Sequence, residues 1–425
     1  MEYFTDDMLI PILLKLPAKS LMKFKSVSKS WKEIISSSSF IYHHYKTSSD
    51  AAADGHTSFL VIHDTFVPRL DYYFTRLSVS FADGQLISKT DETFHLPFMK
   101  MDLEAPPVDT PLIYAAGFGI YCIFIFHART VALWNPATRE SKLLPLSPFH
   151  SPSKRDTYVY GFAHVEYDDG GFFSYKVGLL RVRFLNLAYR VSIELYSSRE
   201  NSWKFFKKCF CLTRIGNQAT GKNWVYSGTN LNGKFHLFTW VNIKDPHIVT
   251  FDMSKEEVGR LEIPAFIRHD SSYDLTSSLL TKFDEKFLCL LIYRKNNENV
   301  IYLDVWIMLQ YGVTESWTKI STAGPISIPE YVDVLGISKS VGGLVIHGLD
   351  HGDGLFFCRY DSSNVQILLP IPSDVYESAL FVECRDSLVS FGGTSDQRIG
   401  ANTAHSSRTP THNSRISTVC SDAAL

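Results

Sequence analysis

The sequence predicts a short all-α segment at the N-terminus, followed by a large all-β domain built as a propeller of about six blades. Three observations predict this fold. Apolar residues in the first 40 positions recur at helical spacing, and strand-like runs dominate from residue 58 to about residue 391. Aromatic anchors within those runs recur at intervals near 55 residues. A repeat of that length in an all-β sequence is typical of propeller blades with four strands each.

The first predicted helix carries one apolar stripe. Leu9, Ile12, Leu13 and Leu16 fall at i, i+3, i+4 and i+7, which is one face of an amphipathic helix. Pro17 then interrupts the helical pattern. Two further short helices are predicted, and their apolar residues are Leu21 and Phe24, then Val27, Trp31, Ile34 and Ile35. So much apolar surface in about 35 residues is hard to bury internally, so we expect these helices to lie on the following domain or to bind a partner.

The blades of the predicted propeller are marked by an aromatic anchor and by a second apolar run after a polar turn. The anchors are Phe81, Trp134, Tyr196, Phe251, Trp306 and Tyr360. Residues 233–237, 285–289 and 343–346 recur at a consistent phase and are interpreted as inner strands. Stacked blades bury a face that no single blade can bury alone. An irregular pair of β-sandwiches is the alternative fold that this pattern leaves open.

Composition excludes several classes of function. The formal net charge is −2, so electrostatics gives no case for binding nucleic acid or an anionic membrane. The seven cysteines are odd in number, which favours reduced thiols over a disulfide framework. The start of the chain lacks the basic residues of a signal peptide, and no apolar run is long enough to span a bilayer. The expected location is the cytoplasm, with the nucleus as the alternative.

The helical segment resembles the plant F-box. The resemblance covers about 40 residues and is carried by residues 16–21 (Leu-Pro-Ala-Lys-Ser-Leu), 27–31 (Val-Ser-Lys-Ser-Trp) and 34–36 (Ile-Ile-Ser). It implies docking on a Skp-type adaptor of a cullin-based ubiquitin ligase. One departure is Pro11, which stands inside the predicted first helix or begins it. The residues expected to contact the adaptor, or to hold the helices in their docking geometry, are Leu9, Ile12, Leu13, Leu16, Pro17, Leu21 and Trp31.

The β-rich part is similar to the plant F-box-associated domain, which is related to kelch-type propellers. This resemblance rests on residues 134–139 (Trp-Asn-Pro-Ala-Thr-Arg), residues 160–162 with 175–177, and residues 194–198 with Trp203. The family includes the S-locus F-box proteins of pollen, so the resemblance implies a protein target, with a basic pistil ribonuclease as one candidate. Where family members carry an Asn-Gly turn, this chain has Phe118-Gly119.

Together these patterns divide the chain into four parts. We expect an F-box helical module over residues 1–45, a linker over 46–57, a propeller-like domain over 58–393 and a disordered tail over 394–425. The tail is polar and has few large apolar residues, so burial cannot offset the entropy lost on ordering it.

No catalytic or metal site is predicted, and no cofactor is expected. His347, Asp350, His351 and Asp353 are better explained as a Gly-rich turn than as metal ligands. Cys209 and Cys211 do not have zinc-knuckle or redox spacing, and residues 168–171 read as a hairpin turn. The leading hypothesis is therefore a non-catalytic substrate receptor of a ubiquitin ligase. The alternatives are a propeller scaffold with a degenerate F-box and a propeller hydrolase.

Overall fold

The computed structural model of the chain describes most of the two predicted regions. The described residues are 6–51, 56–65, 71–82, 85–95, 112–125, 130–148, 156–168, 171–185, 188–212, 214–215, 228–242, 245–295, 300–326, 332–338, 342–348, 354–359, 365–370, 375–376 and 381–391. The predicted disordered tail and the anchor Tyr360 lie outside these residues.

The N-terminal segment is helical, as the apolar spacing predicts. Its helices are α1 (Asp6–Leu13), α2 (Ala18–Phe24), α3 (Lys29–Ser36) and α4 (Ser38–Ala51). The Ser28 hydroxyl caps α3 by accepting from the Trp31 backbone N–H at 3.1 Å. The fourth helix adds to the three that were expected, and it extends over residues 46–51, where the sequence predicts a linker.

The β-rich region forms six antiparallel sheets, which confirms a propeller with six blades. Blade 1 contains β1 (His56–Thr65), β2 (Asp71–Ala82), β3 (Gln85–His95), β25 (Val375–Tyr376) and β26 (Phe381–Cys384). Blade 2 contains β4 (Leu112–Gly117), β5 (Ile120–Ile125), β6 (Thr130–Asn135) and β7 (Glu140–Leu143). Blade 3 contains β8 (Asp156–Tyr167), β9 (Phe173–Leu185), β10 (Ala188–Ser197) and β11 (Ser202–Leu212).

The remaining three blades repeat the same antiparallel order. Blade 4 contains β12 (Arg214–Ile215), β13 (Gly228–Leu231), β14 (Lys234–Asn242), β15 (Asp245–Asp252) and β16 (Glu257–Glu262), and is followed by α5 (Ala265–Arg268). Blade 5 contains β17 (Tyr273–Phe283), β18 (Phe287–Lys295), β19 (Ile301–Met308) and β20 (Trp317–Ile326). Blade 6 contains β21 (Val332–Ser338), β22 (Gly343–Gly348), β23 (Gly354–Arg359) and β24 (Val365–Pro370).

The aromatic anchors mark the same strand of successive blades. Trp134, Tyr196, Phe251 and Trp306 lie on the third strand of blades 2 to 5, and Phe81 lies on β2, the corresponding strand of blade 1. The residues interpreted as inner strands, 233–237, 285–289 and 343–346, reach into β14, β18 and β22, the second strands of blades 4, 5 and 6. Each of these strands has a neighbouring strand on both sides within its sheet.

Blade 1 closes the ring by pairing the two ends of the β domain. Strand β26 pairs antiparallel with β1 and places Glu383 opposite Phe59. The innermost position of this blade is therefore filled from the C-terminal end of the domain, and its other strands come from the N-terminal end. The ring is therefore closed by β-sheet pairing between residues more than 300 positions apart in the chain.

Candidate docking site on the helical segment

The helical segment packs on the propeller through one shared hydrophobic core. Leu13, Leu21 and Ile35 are 1%, 0% and 0% exposed. They belong to the same cluster of buried residues as Ile120 of blade 2 and Val389 of the C-terminal segment. The buried apolar residues of the helices therefore belong to one core together with residues of blades 2 and 3.

An aromatic cluster fixes helix α4 to the propeller. The Tyr42 ring stacks on the Tyr167 ring with centroids 4.4 Å apart, and the Tyr45 ring lies 5.1 Å from the Phe118 ring. Phe118 also meets Phe173 edge to face at 5.3 Å. Offset and edge-to-face pairs of this kind contribute about 0.5–1.5 kcal/mol each beyond the burial of their area.

The contacts of the Phe118-Gly119 turn explain why these two residues stand where family members carry an Asn-Gly turn. Phe118 has φ 50°, a left-handed conformation that is unfavourable for a bulky side chain. Its ring is the part of the β4–β5 turn that contacts α4, so aromatic packing offsets the strain. At Gly119, a Cβ would come within 2.5 Å of the Arg385 carbonyl oxygen, so a side chain does not fit there.

Polar contacts add to this junction. The buried His44 on α4 bonds through Nε2 to the Leu16 carbonyl oxygen at 2.8 Å. Lys19 of α2 and Arg139 of blade 2 both pair with Glu92 of blade 1. Burial disfavours the charged carboxylate, but these two cations hold the pKa of Glu92 below its usual value. Burial also raises the pKa of Tyr45 to about 12, so its hydroxyl stays protonated at neutral pH.

The seven residues predicted to serve adaptor docking fall into two groups. Leu9, Leu13 and Leu21 are buried in the shared core, so in this structure they are not accessible to a partner. Ile12 is 51% exposed, and Pro17 is exposed as well. The remaining two, Leu16 and Trp31, are half-buried against the same core. The predicted single stripe of α1 is therefore split between an inward-facing and an outward-facing row.

Two exposed apolar residues of the segment are not among the seven predicted docking residues. Met8 is 59% exposed and Val27 is 60% exposed. Met8 lies four positions before Ile12, so the two side chains share one face of α1. That i, i+4 relation was readable in the sequence, but Leu9 and Leu13 have the same relation, and nothing local decides which pair is covered. Met8 and Ile12 form an apolar face of helix α1 that is exposed to solvent, which we call the α1 outer face.

Pro11 lies inside helix α1 and does not begin it. The helix runs from Asp6 to Leu13, so the alternative in which Pro11 is the first residue is wrong. The proline ring is exposed, and the next turn keeps its Leu14 N–H to Ile10 carbonyl bond at 2.9 Å. Because proline has no N–H, one hydrogen bond of this short helix is lost.

The other sequence candidates have structural explanations or lie outside the described residues. Asp168 ends a hairpin turn, since its carboxylate accepts from the Phe172 N–H at 2.8 Å. Residues 350–353 are outside the described part, as are the side chains of His347, Cys209 and Cys211. The described free cysteines are buried, and they are Cys122, Cys289, Cys358 and Cys384. Within the described residues, no group of three or more His, Cys, Asp or Glu side chains is placed to hold a metal ion. No helix in that part is long and apolar enough to cross a membrane.

Comparison with known proteins matches both regions of the chain. The F-box domain profile matches residues 4–43, and the profile of the F-box associated beta propeller domain matches residues 119–343. The F-box/kelch-repeat protein At3g23880 of Arabidopsis thaliana is 25% identical over 399 residues, covering 90% of this chain and 93% of the relative. The putative F-box/kelch-repeat protein At1g12870 of the same plant is 25% identical over 338 residues, covering 76% of this chain and 71% of the relative.

Solved propellers are similar only at a general level. TolB from Acinetobacter baumannii shares 10% identity and a TM-score of 0.32, covering 76% of this chain and 71% of that structure. The Dos1 propeller shares 10% identity and a TM-score of 0.33, covering 71% of this chain and 68% of that structure. These scores give no support for any particular function.

Proposed function

Since this chain belongs to the plant F-box proteins that carry an F-box associated beta propeller domain, we propose that it is the substrate-recognition subunit of an SCF-type (Skp-cullin-F-box) ubiquitin ligase. The helical segment binds the Skp-type adaptor and thereby the cullin, and the propeller binds the target. The chain itself is not catalytic. It raises the effective concentration of target lysines near the ubiquitin carrier of the assembled ligase.

The observation that carries this proposal is that helix α1 has one buried apolar face and one exposed apolar face. Leu9 and Leu13 are buried in the core that the helices share with the propeller, while Met8 and Ile12 present apolar side chains to solvent. Exposed apolar residues grouped on a rigid element are typical of a protein interface. The α1 outer face is therefore our proposed adaptor contact, and Pro17 extends it at the start of α2.

Adaptor capture by the full chain tests this assignment. We expect the double variant Met8→Asp, Ile12→Asp to lose adaptor and cullin by tenfold or more, since a loss of about 1.4 kcal/mol in binding is tenfold. The matched control is Ile87→Asp on strand β3, because Ile87 is 49% exposed but belongs to the propeller. Equal capture by the double variant and the control, with both melting temperatures unchanged, would contradict the proposed contact.

A second candidate function is a propeller scaffold whose F-box does not dock. The observation that favours it is Pro11, which removes a hydrogen bond from the helix that presents the α1 outer face. Replacing Pro11 by Ala restores the missing N–H and a strong helix former. If wild type fails to capture the adaptor and Pro11→Ala captures it, the scaffold function is the correct one.

For the target, the resemblance to S-locus F-box proteins points to a basic pistil ribonuclease bound in the cytosol. The described charges give this target little support. Asp168, one acidic group available for steering it, is already paired with Arg199 at 2.6 Å. Binding of a purified basic ribonuclease should weaken between roughly 50 and 200 mM salt, as screening increases. Binding that is absent at both salt concentrations would exclude this target while leaving the ligase-receptor function open.

A further inference from the structure

A surface cavity lies between blades 2 and 3, next to the helical segment. Its volume is about 490 Å³, within the usual range for ligand pockets. Strand β7 contributes Lys142, strands β9 and β10 contribute Tyr175 and Tyr196, and the C-terminal segment contributes Phe391. We call it the blade 2–3 pocket. It is open to solvent and is separate from the α1 outer face.

The charged side chains that line this pocket are cationic, and the carboxylates of Glu140 and Glu166 lie behind the lining, bonded to the Phe391 N–H at 3.2 Å and the Ser174 hydroxyl at 3.0 Å. Its lining contains two cationic side chains, Lys142 and Arg199, and no carboxylate among the described residues. Arg199 pairs outside the lining with Asp168 at 2.6 Å and with Glu166 at 3.5 Å. Lys142 forms no such ion pair within the described part of the chain. It contacts only the Phe391 carbonyl oxygen, at 3.5 Å, and the face of the Tyr175 ring, at 5.7 Å. Lys142 is therefore available to an anionic group.

The walls supply flat apolar surface and an unused hydroxyl. Phe172 and Phe173 both line the pocket, and 68% of the Phe172 surface is exposed. The Tyr175 hydroxyl is buried and has no hydrogen-bond partner in the described structure. Burial raises the pKa of Tyr175, and the neighbouring Tyr196 hydroxyl opposes that shift, but the two do not reach hydrogen-bond geometry. The Tyr196 hydroxyl donates instead to the Asn201 amide oxygen at 2.8 Å.

We propose that the blade 2–3 pocket binds a carboxylate next to an aromatic or aliphatic side chain, presented by a peptide segment of the target protein. Lys142 pairs with the carboxylate, and the Tyr175 hydroxyl donates a hydrogen bond to it. The aromatic walls bury the apolar side chain. This inference rests on the proposed function, because it assigns the target-binding role to one place on the propeller.

A second cavity, at the joint between helices and propeller, makes a useful contrast. Its volume is about 230 Å³, and both Glu383 and Asp386 line it beside Arg76 and Arg385. Arg76 and Asp386 already pair at 2.7 Å, so opposite charges there neutralise each other. That cavity therefore has no net preference for an anionic ligand, in contrast to the blade 2–3 pocket.

A peptide array probes the blade 2–3 pocket directly. The probe is a set of immobilised peptides with blocked ends, in which every dipeptide occupies the centre of a constant Gly-Ser frame. The full chain is applied without adaptor. We expect enrichment of dipeptides that join Asp or Glu to an aromatic or aliphatic residue. Exchange of Asp for Asn, or Glu for Gln, in the best peptides should weaken solution binding by about tenfold, as loss of one charge-assisted pair implies.

Matched variants connect that binding to the pocket. Lys142→Gln removes the charge and keeps most of the side-chain length, and Tyr175→Phe removes only the hydroxyl. We expect the first to weaken the best peptide about tenfold and the second several-fold. Lys204→Gln is the control, since Lys204 is a half-exposed lysine on β11 that is paired with Glu200 at 2.9 Å. Melting temperatures of all three variants establish that each is folded.

Several outcomes would overturn the inference. One is an array without acidic–apolar enrichment, and another is enrichment that Lys142→Gln and Tyr175→Phe leave unchanged. Competition by free phenylpropionate at lower concentration than by the best peptide would assign the same chemistry to a small organic acid rather than a target peptide. Adaptor capture by the same wild-type preparation is measured separately. If the wild-type chain does not capture the adaptor, the ligase function is contradicted. The peptide-binding result for the pocket can still be interpreted by itself.

Discussion

Blades 2 and 3 share a core with distant parts of the chain, whereas the core between blades 4 and 5 is built from residues that are close in sequence. The core beneath the helices combines Leu13 of α1, Phe124 of blade 2, Val177 of blade 3 and Leu388 of the C-terminal segment. The core between blades 4 and 5 is contained within residues 231–317. The helix-covered side therefore depends on contacts across almost the whole sequence. On the opposite side, each core joins a blade to its neighbour in the ring.

This difference suggests that the F-box and its propeller unfold as one unit on the covered side. Removing the helices would expose apolar side chains of blades 2 and 3, because the two regions share a core. Point variants that separate attachment from docking are therefore more informative than deletion of the helical segment. Each of the following predictions tests one part of this comparison.

The largest effect is expected at Leu13 on the covered side. Leu13→Ala leaves a cavity in the shared core and should lower the free energy of unfolding by about 2–5 kcal/mol. The neighbouring Ile12→Ala removes a half-exposed side chain and should change it by less than about 1 kcal/mol. Denaturant titration of both variants measures the difference. Equal values for the two would mean that the helices are not held by the propeller.

The next effect concerns Asn135, which ties the C-terminal segment to blade 2. Its buried amide nitrogen donates to the Ser387 and Val389 carbonyl oxygens at 3.0 and 2.8 Å. Asn135→Ala leaves both carbonyls unpaired and should cost about 2–4 kcal/mol. Hydrogen exchange should accelerate over residues 385–391 and the helices, with little change in blade 5. Uniform acceleration around the ring would contradict the division into a covered and an opposite side.

The smallest effect concerns His236 on the opposite side. Burial lowers the pKa of His236 to about 4, while its Nε2 accepts from the Tyr311 hydroxyl at 2.9 Å. The folded state therefore keeps this imidazole neutral at pH values where the unfolded chain, with a histidine pKa near 6.5, binds a proton. Stability should be complete above about pH 6.5 and should fall as the pH decreases towards 4, by at most about 3 kcal/mol.

Replacing His236 by Gln supplies the control, because glutamine keeps hydrogen-bonding groups and does not titrate. The slope of unfolding free energy against pH should become shallower between pH 4 and 6.5 in this variant. Part of the slope should persist, since burial also lowers the pKa of His247. An unchanged slope would exclude His236 as a source of this pH dependence.

Most of the architecture could be predicted from the periodicity of the sequence and from its resemblance to the F-box family. The anchors near 55-residue spacing predicted six blades, and their third-strand positions follow because each blade repeats the same order of strands. The apolar spacing before residue 40 predicted helices. Both signals are local, because they depend on which side chains of one element share a face. The domain boundaries and the assignment of adaptor residues remain predictions.

Only the tertiary structure decided what covers each face. Leu9 and Leu13 are buried while Met8 and Ile12 face solvent, although both pairs have the same spacing. Ring closure by β26, like the approach of Lys142 to Tyr175, joins residues that are far apart in sequence. Such contacts are set by the packing of whole blades and helices, so the pattern within any one segment does not contain them. For the same physical reason, the sequence indicated a receptor but not the pocket with which it would bind a target.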